Sequence, residues 1–401
     1  MRTSRDSSED ALPSDSPMPA SHLERRLDAA LEKRRAQFKL RDLKSSPLGS
    51  VDLSSNDFLS LSTNNEFMRD YLDTLRETQT PLGSTGSRLL DGNSEYAETL
   101  EREIASFHGA ETGLLTNSGF DANVSIFAYL PAHGDVIVYD ELIHASVHDG
   151  MRQSRAKDQI SFKHNDVQDL HRILKQIVNS SGSTRTVFVA VETVYSMDGD
   201  LAPLTEIVEL IESVFSHKNA HLIIDEAHAT GIYGPNGSGR VCELGLEKRV
   251  SVRLHTFGKA LTTNGAIILC SPTIRLYLIN YARPLIYTTF MSYPTLVGIR
   301  TAYTWLRMGK TNLLAAKLYH LINHLYAKLQ SLEGVIRHSS NSSGIPLITL
   351  PTTCPESPIF ALLSPHPRSL AAHCQSAGFI VRPVVSPTVP KGTERVRSKD
   401  K

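Results

Sequence analysis

The sequence predicts an α/β protein with a mostly parallel central sheet, followed by a smaller α+β C-terminal domain. Two observations carry that expectation. Between residues 135 and 270, short β-branched runs alternate with helical patterns, as in sheets covered by helices on both faces. Beyond about residue 295 the order changes to a long helix, a loop, then strand, helix and strand. The 401 residues and 40% hydrophobic content suffice for two to three domains with large cores.

Taken in order, residues 1–20 are rich in Ser, Pro and acids and read as a disordered tail. Residues 22–44 carry apolar residues at helical spacing among many charges and read as an amphipathic helix. The Gly/Ser-rich stretch 81–94 reads as a loop. A helix follows, capped by Asn93 or Ser94, with Leu100, Ile104 and Phe107 on one face. Expected strands are 135–139, 160–162, 186–192, 221–225, 253–257 and 265–270, with helices at 166–179 and 204–215. A helix at 312–332, a loop at 338–344 and a strand–helix–strand run to 384 complete the chain. The implied divisions are a 1–20 tail, a 21–60 helix and strand segment, a 61–294 large domain and a 295–401 small domain.

Charge balance excludes some function classes. The 42 basic and 42 acidic residues cancel, which leaves no electrostatic footprint for nucleic acid or an anionic membrane. Four scattered cysteines suit a reduced enzyme, and the N-terminus lacks the apolar core of a secretory signal. No apolar run is long enough to span a bilayer, so a cytoplasmic location is expected.

The polar clusters of this pattern fall at expected strand ends, where ligands of such sheets bind. Asp225 ends an apolar strand and opens DEAHATG. A lone Asp there is usually a turn former. A sharper reading makes it the carboxylate that keeps a heterocyclic nitrogen protonated, with His228 beside it. Lys259, in HTFGKAL, is ordinary as a surface lysine, but among apolar neighbours it becomes a Schiff-base nucleophile. Ser118, Gly119 and Phe120 precede a helical stretch and could hold an anion on backbone N–H groups, or simply cap a helix. His144 and His148 lie at i, i+4, yet HASVH lacks the glutamate of a zinc HExxH motif; a ring stacked on a flat cofactor suits His144 better. DEAH also invites a helicase-like ATPase. The only Gly-Lys-Thr is at 309–311, with Thr304 at the first glycine position, and it follows DEAH. The ATPase reading fails on spacing and order.

The ordered blocks SSNDFLSLS, GSTGSRLLDGNSEYAETLEREIASFHGAE, SGFDAN, DELIHASVHDGMRQSRA, ETVYSMDGDLAPL, IIDEAHATGIYGPNGSGR, TFGKAL, RPLIYTTF and SPTVPKGTERVR together resemble the α-oxoamine synthases. These are fold-type-I pyridoxal-phosphate (PLP) acyltransferases, and the resemblance runs from about residue 28 to 397. It implies that Lys259 carries PLP and moves protons at the substrate α-carbon. His144 then stacks on the pyridine ring, Asp225 pairs with its nitrogen and His228 with its phenolic oxygen. Ser196 would sit near ring and substrate. Ser118, Gly119, Phe120 and Thr256 would hold the phosphate, with Thr288 and Thr289 reaching the phosphate of a neighbouring subunit in a homodimer. Arg397 would clamp the amino-acid carboxylate, and Asn56 and Arg88 would line the acyl-CoA side.

Within that family the GSTGSRLL…DGNS loop is most similar to the branch that condenses L-alanine with pimeloyl-CoA in biotin biosynthesis. Other acyl thioesters or amino acids, a PLP aminotransferase and a catalytically silent subunit are the alternatives. Three positions depart from the family pattern. Ser60 stands for a usual Gly, and Thr262-Thr263 stand for Gly-Ser. The chain also stops at Lys401, where the family continues with a strand and a terminal helix. From that short end the expectation is a truncated small domain, in which residues 398–401 cannot bury an apolar face or seat a terminal helix, a neighbouring strand is left with exposed edge groups, and Arg397 is misplaced so that amino-acid binding is weak.

Overall fold

The computed structural model describes residues 21–43, 45, 47–181, 185–334 and 346–399. The expected tail at 1–20 and the whole of the 338–344 loop lie outside the described residues. Residues 1–49 and 50–401 form two units. The first contains one helix, α1 (His22–Ala36), opened by a reciprocal cap in which Ser21 Oγ accepts from Glu24 N and Ser21 N donates to Glu24. It ends eight residues before the expected point. Phe38 takes a left-handed φ of 54°, which turns the chain out of the helix.

The second unit begins with β1 (Val51–Asp52), α2 (Asn65–Thr78) and α3 (Glu95–Phe107). Ser94 caps α3 by accepting from Ala97 N, and Leu100 and Ile104 are fully buried. A seven-stranded sheet follows: β2 (Thr112–Thr116), β3 (Val136–Asp140), β4 (Asp158–Phe162), β5 (Val187–Glu192), β6 (Ala220–Asp225), β7 (Val252–Thr256) and β8 (Ala266–Cys270). Its order is β2-β8-β7-β6-β5-β3-β4. The pairs from β4 through β7 are parallel, whereas β8 runs antiparallel to both β7 and β2. Strand β2 was not among the expected strands: TGLLT is short, and its Gly113 weakens a propensity-based reading.

Intervening helices are α4 (Gly119–Tyr129), α5 (Ala145–Arg152), α6 (Val167–Ser181), α7 (Leu204–Val214) and the short α8 (Arg240–Glu243). They cover both faces. Val189, Val191, Leu222 and Ile224 pack with α6 and α7, while Phe188, Ala190 and Ile223 pack with α4 and α5. Burial on both faces is why the strands read as continuous apolar runs rather than alternating ones.

Helices α9 (Pro272–Tyr281), α10 (Arg283–Tyr287), α11 (Tyr293–Arg307) and α12 (Asn312–Ser331) lead to the final segment. There β9 (Ile359–Leu363), α13 (Pro367–Ser376), β10 (Phe379–Ile380), β11 (Arg382–Val384) and β12 (Arg395–Lys399) follow. β10 pairs with β1, and the order β11-β12-β9 makes a three-stranded antiparallel sheet. The expectation that the chain's end leaves a neighbouring strand with exposed edge groups is overturned. β12 is the middle strand, paired on both sides, and Ser398 and Lys399 are buried at 6% and 1% exposure. Pairing with β9, Ser398 to Phe360 and Lys399 to Ile359, rather than apolar character, orders these polar residues, since β11 reaches only to Arg397. Among the described residues, no helix is long and apolar enough to cross a membrane.

Both substitutions that depart from a family glycine fall on left-handed backbone: Ser60 and Thr262 each have φ of 52°. Thr262 closes the turn carrying Lys259, its N–H donating to Lys259 O at 2.9 Å. A β-branched residue in this region is strained. Thr262→Gly is therefore expected to raise stability by about 1 kcal/mol after the extra unfolded-chain entropy of glycine. Thermal unfolding checks this; an unchanged or lower midpoint contradicts it.

Candidate active site

Parallel pairing puts the carboxyl ends of β5, β6 and β7 side by side, with Glu192, Asp225 and Leu254 in register. Asp225 is 8% exposed. Its Oδ2 accepts from Asn123 Nδ2 at 2.8 Å and its Oδ1 from Ala227 N at 2.9 Å. Asn123 Nδ2 also reaches Ser146 Oγ at 3.0 Å, and that hydroxyl lies 2.7 Å from His144 Nδ1. A continuous polar chain thus joins Asp225 to His144, which caps α5 by accepting from Ser146 N.

Lys259 follows β7 on the Thr262 turn, and its side chain makes no hydrogen bond or ion pair among the described residues. Burial pulls its ammonium below the usual lysine range; Asp225 and Glu192 oppose the shift, and Arg397 adds to it. Glu192, beside Asp225, is held well above the carboxylate range by burial first and by the Asp225 charge next. His228 is pushed well down by burial and by the cations Lys259, Lys399 and Arg397, so its ring is neutral. Its Nδ1 is buried without a partner among the described residues. His144 is also lowered, by burial against the opposing Asp225 charge. The result is a depressed amine facing a hydrogen-bonded carboxylate, with two neutral imidazoles: a site equipped for proton movement.

The anion-binding expectation rests on α4. Ser118 caps it, Oγ accepting from Asp121 N at 3.0 Å. The amides of Gly119 and Phe120 in its first turn have no hydrogen-bond acceptor among the described residues. A Cβ at Gly119 would stand 3.4 Å from Thr256 Cβ, so glycine lets the helix start approach Thr256. Thr256 Oγ1 donates to Gly265 O at 3.2 Å.

Arg397 reaches in from β12, its Nη1 donating to Ser196 O at 3.0 Å. Misplacement of this side chain was expected; instead β12's pairing on both edges holds it against the 193–200 loop. Asn56 accepts from Lys399 Nζ. The structure thus gathers Lys259, Asp225, His144, His228 and Arg397 into one electrostatic cluster. Arg88 and Thr288 line one cavity with Thr116, Asn117 and Asp121 at the start of α4, and Thr289 adjoins it. Arg88 is buried, paired with Glu101, bonded to Asn93 and stacked 4.8 Å over Phe290. Thr288 and Thr289 are exposed; Thr289 O accepts from Asn117 Nδ2 at 2.8 Å and Thr289 bridges to Ser87.

Sequence reasoning missed Asn123, Ser146, Glu192 and Lys399. Asn123 lies in the SGFDAN block one turn after Gly119, and Glu192 ends the expected 186–192 strand, so helical spacing and the strand-end rule could have found both. Lys399 is two residues from Arg397 and therefore on the same face of β12.

The amino-acid pattern of the aminotransferase class I and II family matches residues 49–398. The chain belongs to this family. It is 50% identical over 377 residues to 8-amino-7-oxononanoate synthase of Emericella nidulans, covering 92% of this chain and 89% of that protein. It is 39% identical to aminoacyl transferase sphA of Byssochlamys spectabilis, over 87% of this chain and 76% of that one. Among solved structures, serine palmitoyltransferase of Sphingomonas wittichii superposes with a TM-score of 0.77 at 26% identity, covering 95% and 93% of the two chains. An SPT solved with PLP does so with 0.77 at 25%, covering 94% and 93%. The architecture of this family member is the fold-type-I arrangement expected from its resemblance to the α-oxoamine synthases.

Beside the cluster, His164 bridges two acids, with Nδ1 2.9 Å from Asp140 and Nε2 2.6 Å from Asp200. Burial pulls its pKa down, but those hydrogen bonds and charges outweigh it and raise the imidazolium to about 10. Because the folded value lies above the free value, its stabilisation is complete below about pH 6.5 and is lost as pH rises through about 10. The stability difference between wild type and His164→Asn should therefore be largest at mildly acid pH and shrink into the alkaline range. A difference independent of pH in urea unfolding would contradict the bridge.

Proposed function

We propose that this chain is a PLP-dependent C-acyltransferase that condenses L-alanine with pimeloyl-CoA, giving 8-amino-7-oxononanoate, CoA and carbon dioxide. The observation that carries the chemistry is the unpaired, depressed Lys259 amine set against the hydrogen-bonded Asp225 carboxylate. The substrate assignment is supported by the half-identity to the Emericella nidulans synthase.

The residues present fit PLP. The buried, orphaned His228 Nδ1 and the acceptor-less first turn of α4 are polar groups of the kind a bound cofactor or substrate satisfies. When bound, PLP supplies an electron sink for the pair left at a substrate α-carbon by loss of a proton or a carboxylate. Asp225 would hold the ring nitrogen protonated, oriented by Asn123 and the Ala227 amide. His144 would stack on the ring, fixed by Ser146, and neutral His228 would hydrogen-bond the phenolic oxygen. Gly119 and Phe120 amides, with Ser118 and Thr256, would hold the phosphate. Lys259 would carry the cofactor and move the α-carbon proton, the burial that lowers its pKa favouring the free amine. Arg397 would hold the amino-acid carboxylate in its planar fork, near Ser196. Asn56 and Arg88 would flank the acyl side. Exposed Thr288 and Thr289 would reach the phosphate of a second copy in a homodimer.

The similarity to sphA favours one alternative, an acyl transfer that uses another acyl thioester or amino acid. The test is to incubate the PLP-loaded protein with a panel of amino acids and acyl-CoAs and to detect products by mass and CoA by thiol release. Alanine with pimeloyl-CoA should give 8-amino-7-oxononanoate as the main product, and a different preferred pair would replace the substrate assignment. After borohydride reduction, peptide mapping should find the pyridoxyl mass on Lys259 and on no other lysine.

Asp225→Asn should bind PLP yet slow α-proton exchange of alanine by about a hundredfold or more, since loss of a buried charged partner costs about 3–5 kcal/mol. Deuterium uptake by NMR measures this; near-wild-type exchange would remove Asp225 from its role.

A further inference from the structure

Alternate residues of a strand share a face, so β12 presents Arg395, Arg397 and Lys399 as a ladder of three cations about 7 Å apart. The first is neutralised: Arg395 pairs with Asp198 and donates to Met197 O at 3.3 Å. The second, Arg397, finds only carbonyl and sulfur partners, Ser196 O and Met197 Sδ. The third is the most deeply placed. Lys399 is 1% exposed, its backbone N–H donates to Leu53 O at 2.9 Å, its Nζ donates to Asn56 Oδ1, and it stands 6.0 Å from the Phe58 ring centroid.

A lysine that served packing alone would be expected to meet a carboxylate, because an unpaired buried ammonium is costly. Here one neutral amide oxygen faces it. Burial, then Arg397 and Lys259, pull its pKa down to about 7, with Asp52 opposing from a distance. Asp52 Oδ1 is itself engaged by the Ser54 and Ser55 amides. The charge of Lys399 also reaches His228, so the ammonium belongs to the cluster around Lys259 rather than to a remote core. Two adjacent cations that meet no acid among the described residues form a receptor for two anionic groups, and the amino-acid carboxylate assigned to Arg397 accounts for one.

We infer that Lys399, backed by Asn56, binds a second carboxylate carried by the substrate pair and so determines substrate specificity. The inference rests on the acyl-transfer reading above. The carboxylate comes from one of two sources: the free end of a dicarboxylic acyl donor, or an acidic side chain on the amino acid.

Calorimetric titration of the PLP-loaded protein separates these sources. Pimelate is compared with heptanoate, and L-aspartate with L-alanine, in wild type, Lys399→Met and Lys399→Arg. A charge-assisted contact should favour the dicarboxylate by about tenfold in wild type. Lys399→Met should erase that preference and Lys399→Arg should keep most of it. Preference for pimelate assigns the carboxylate to the acyl donor; preference for aspartate assigns it to the amino acid. Equal binding within both pairs in wild type, or a preference that survives in Lys399→Met, overturns the inference. Circular dichroism and a thermal melt check folding. If Lys399→Met fails to fold, Lys399→Gln and Asn56→Ala take its place under the same criteria. Steady-state kinetics keep the two readings apart. Product formation from pimeloyl-CoA with an unaltered KM in Lys399→Met removes the Lys399 role and leaves the acyl transfer standing. A Lys399-dependent binding preference without product from any acyl-CoA removes the acyl transfer instead.

Discussion

A carboxylate buried at the end of a parallel strand needs donors, and it forces every ionisable neighbour to adjust. Asp225 has two such donors, the Asn123 amide and the Ala227 backbone. Strand register then places Glu192 directly beside it, and two adjacent carboxyls in a low-dielectric site resist ionising together. Glu192 is accordingly pushed toward its neutral form by burial and then by Asp225, while the burial that pulls Lys259 down is opposed by these same acids. His228, buried and surrounded by cations, gives up its proton. Burial thus sets the direction of each shift, and the hydrogen-bonded aspartate acts on Glu192, Lys259 and His144 through the register of the strands.

The three-stranded sheet meets that cluster through the 193–200 loop. Gly199 makes the approach possible: its φ is 79°, and a Cβ there would lie 2.6 Å from Ile359 O and from Ser357 Oγ. With no side chain in the way, Ser357 Oγ donates to Gly199 O at 2.6 Å, and Arg395 pairs with Asp198. On the other side of the loop, His164 and Asn165 hold Asp200. The loop that accepts Arg397 through Ser196 O is therefore pinned from both sheets, which is what a planar guanidinium needs to be aimed rather than merely present.

The parallel sheet was legible because burial on both faces leaves uninterrupted runs such as VFVAVE, and each falls within two residues of its observed strand. Lys259, Asp225, His144 and His228 were legible because they close such runs. What escaped was set by tertiary pairing. TGLLT gains its strand from β8 alone. Arg395–Arg397 gains its place from two neighbours and Ser398–Lys399 from β9, conditions no local pattern encodes. The leucines of α1 show the converse: a helical stripe was legible, but its end was fixed by the left-handed Phe38 rather than by periodicity. The DEAH tetrapeptide divides in the same way. Asp225 faces the cluster, whereas Glu226 turns to accept from the Arg240 and Val241 amides at 2.9 and 2.8 Å and anchors the start of α8. Adjacent acids in one motif thus serve different ends, and only the geometry separates them.

Stability and readiness for chemistry pull against each other around Lys259. The side chains that face inward there are costly to the fold: an amine without a partner, an imidazole with an orphaned nitrogen, an arginine and a lysine without acids, and a strained Thr262 in the adjoining turn. Away from this cluster, several buried charges are compensated, although Arg253, at 2% exposure, has only His108 O and Cys242 Sγ as partners among the described residues. Glu101 takes both Arg88 and Arg275, and Asp140 takes His164. A fold able to satisfy Arg88 so fully does not leave Arg397 and Lys399 short of anions for want of acidic residues; the chain has 42 of them. Desolvated basic groups without an internal carboxylate are open to a ligand, because no carboxylate must be displaced before an anion binds. The stability forgone at these positions is the physical condition for selective anion binding at the end of the sheet.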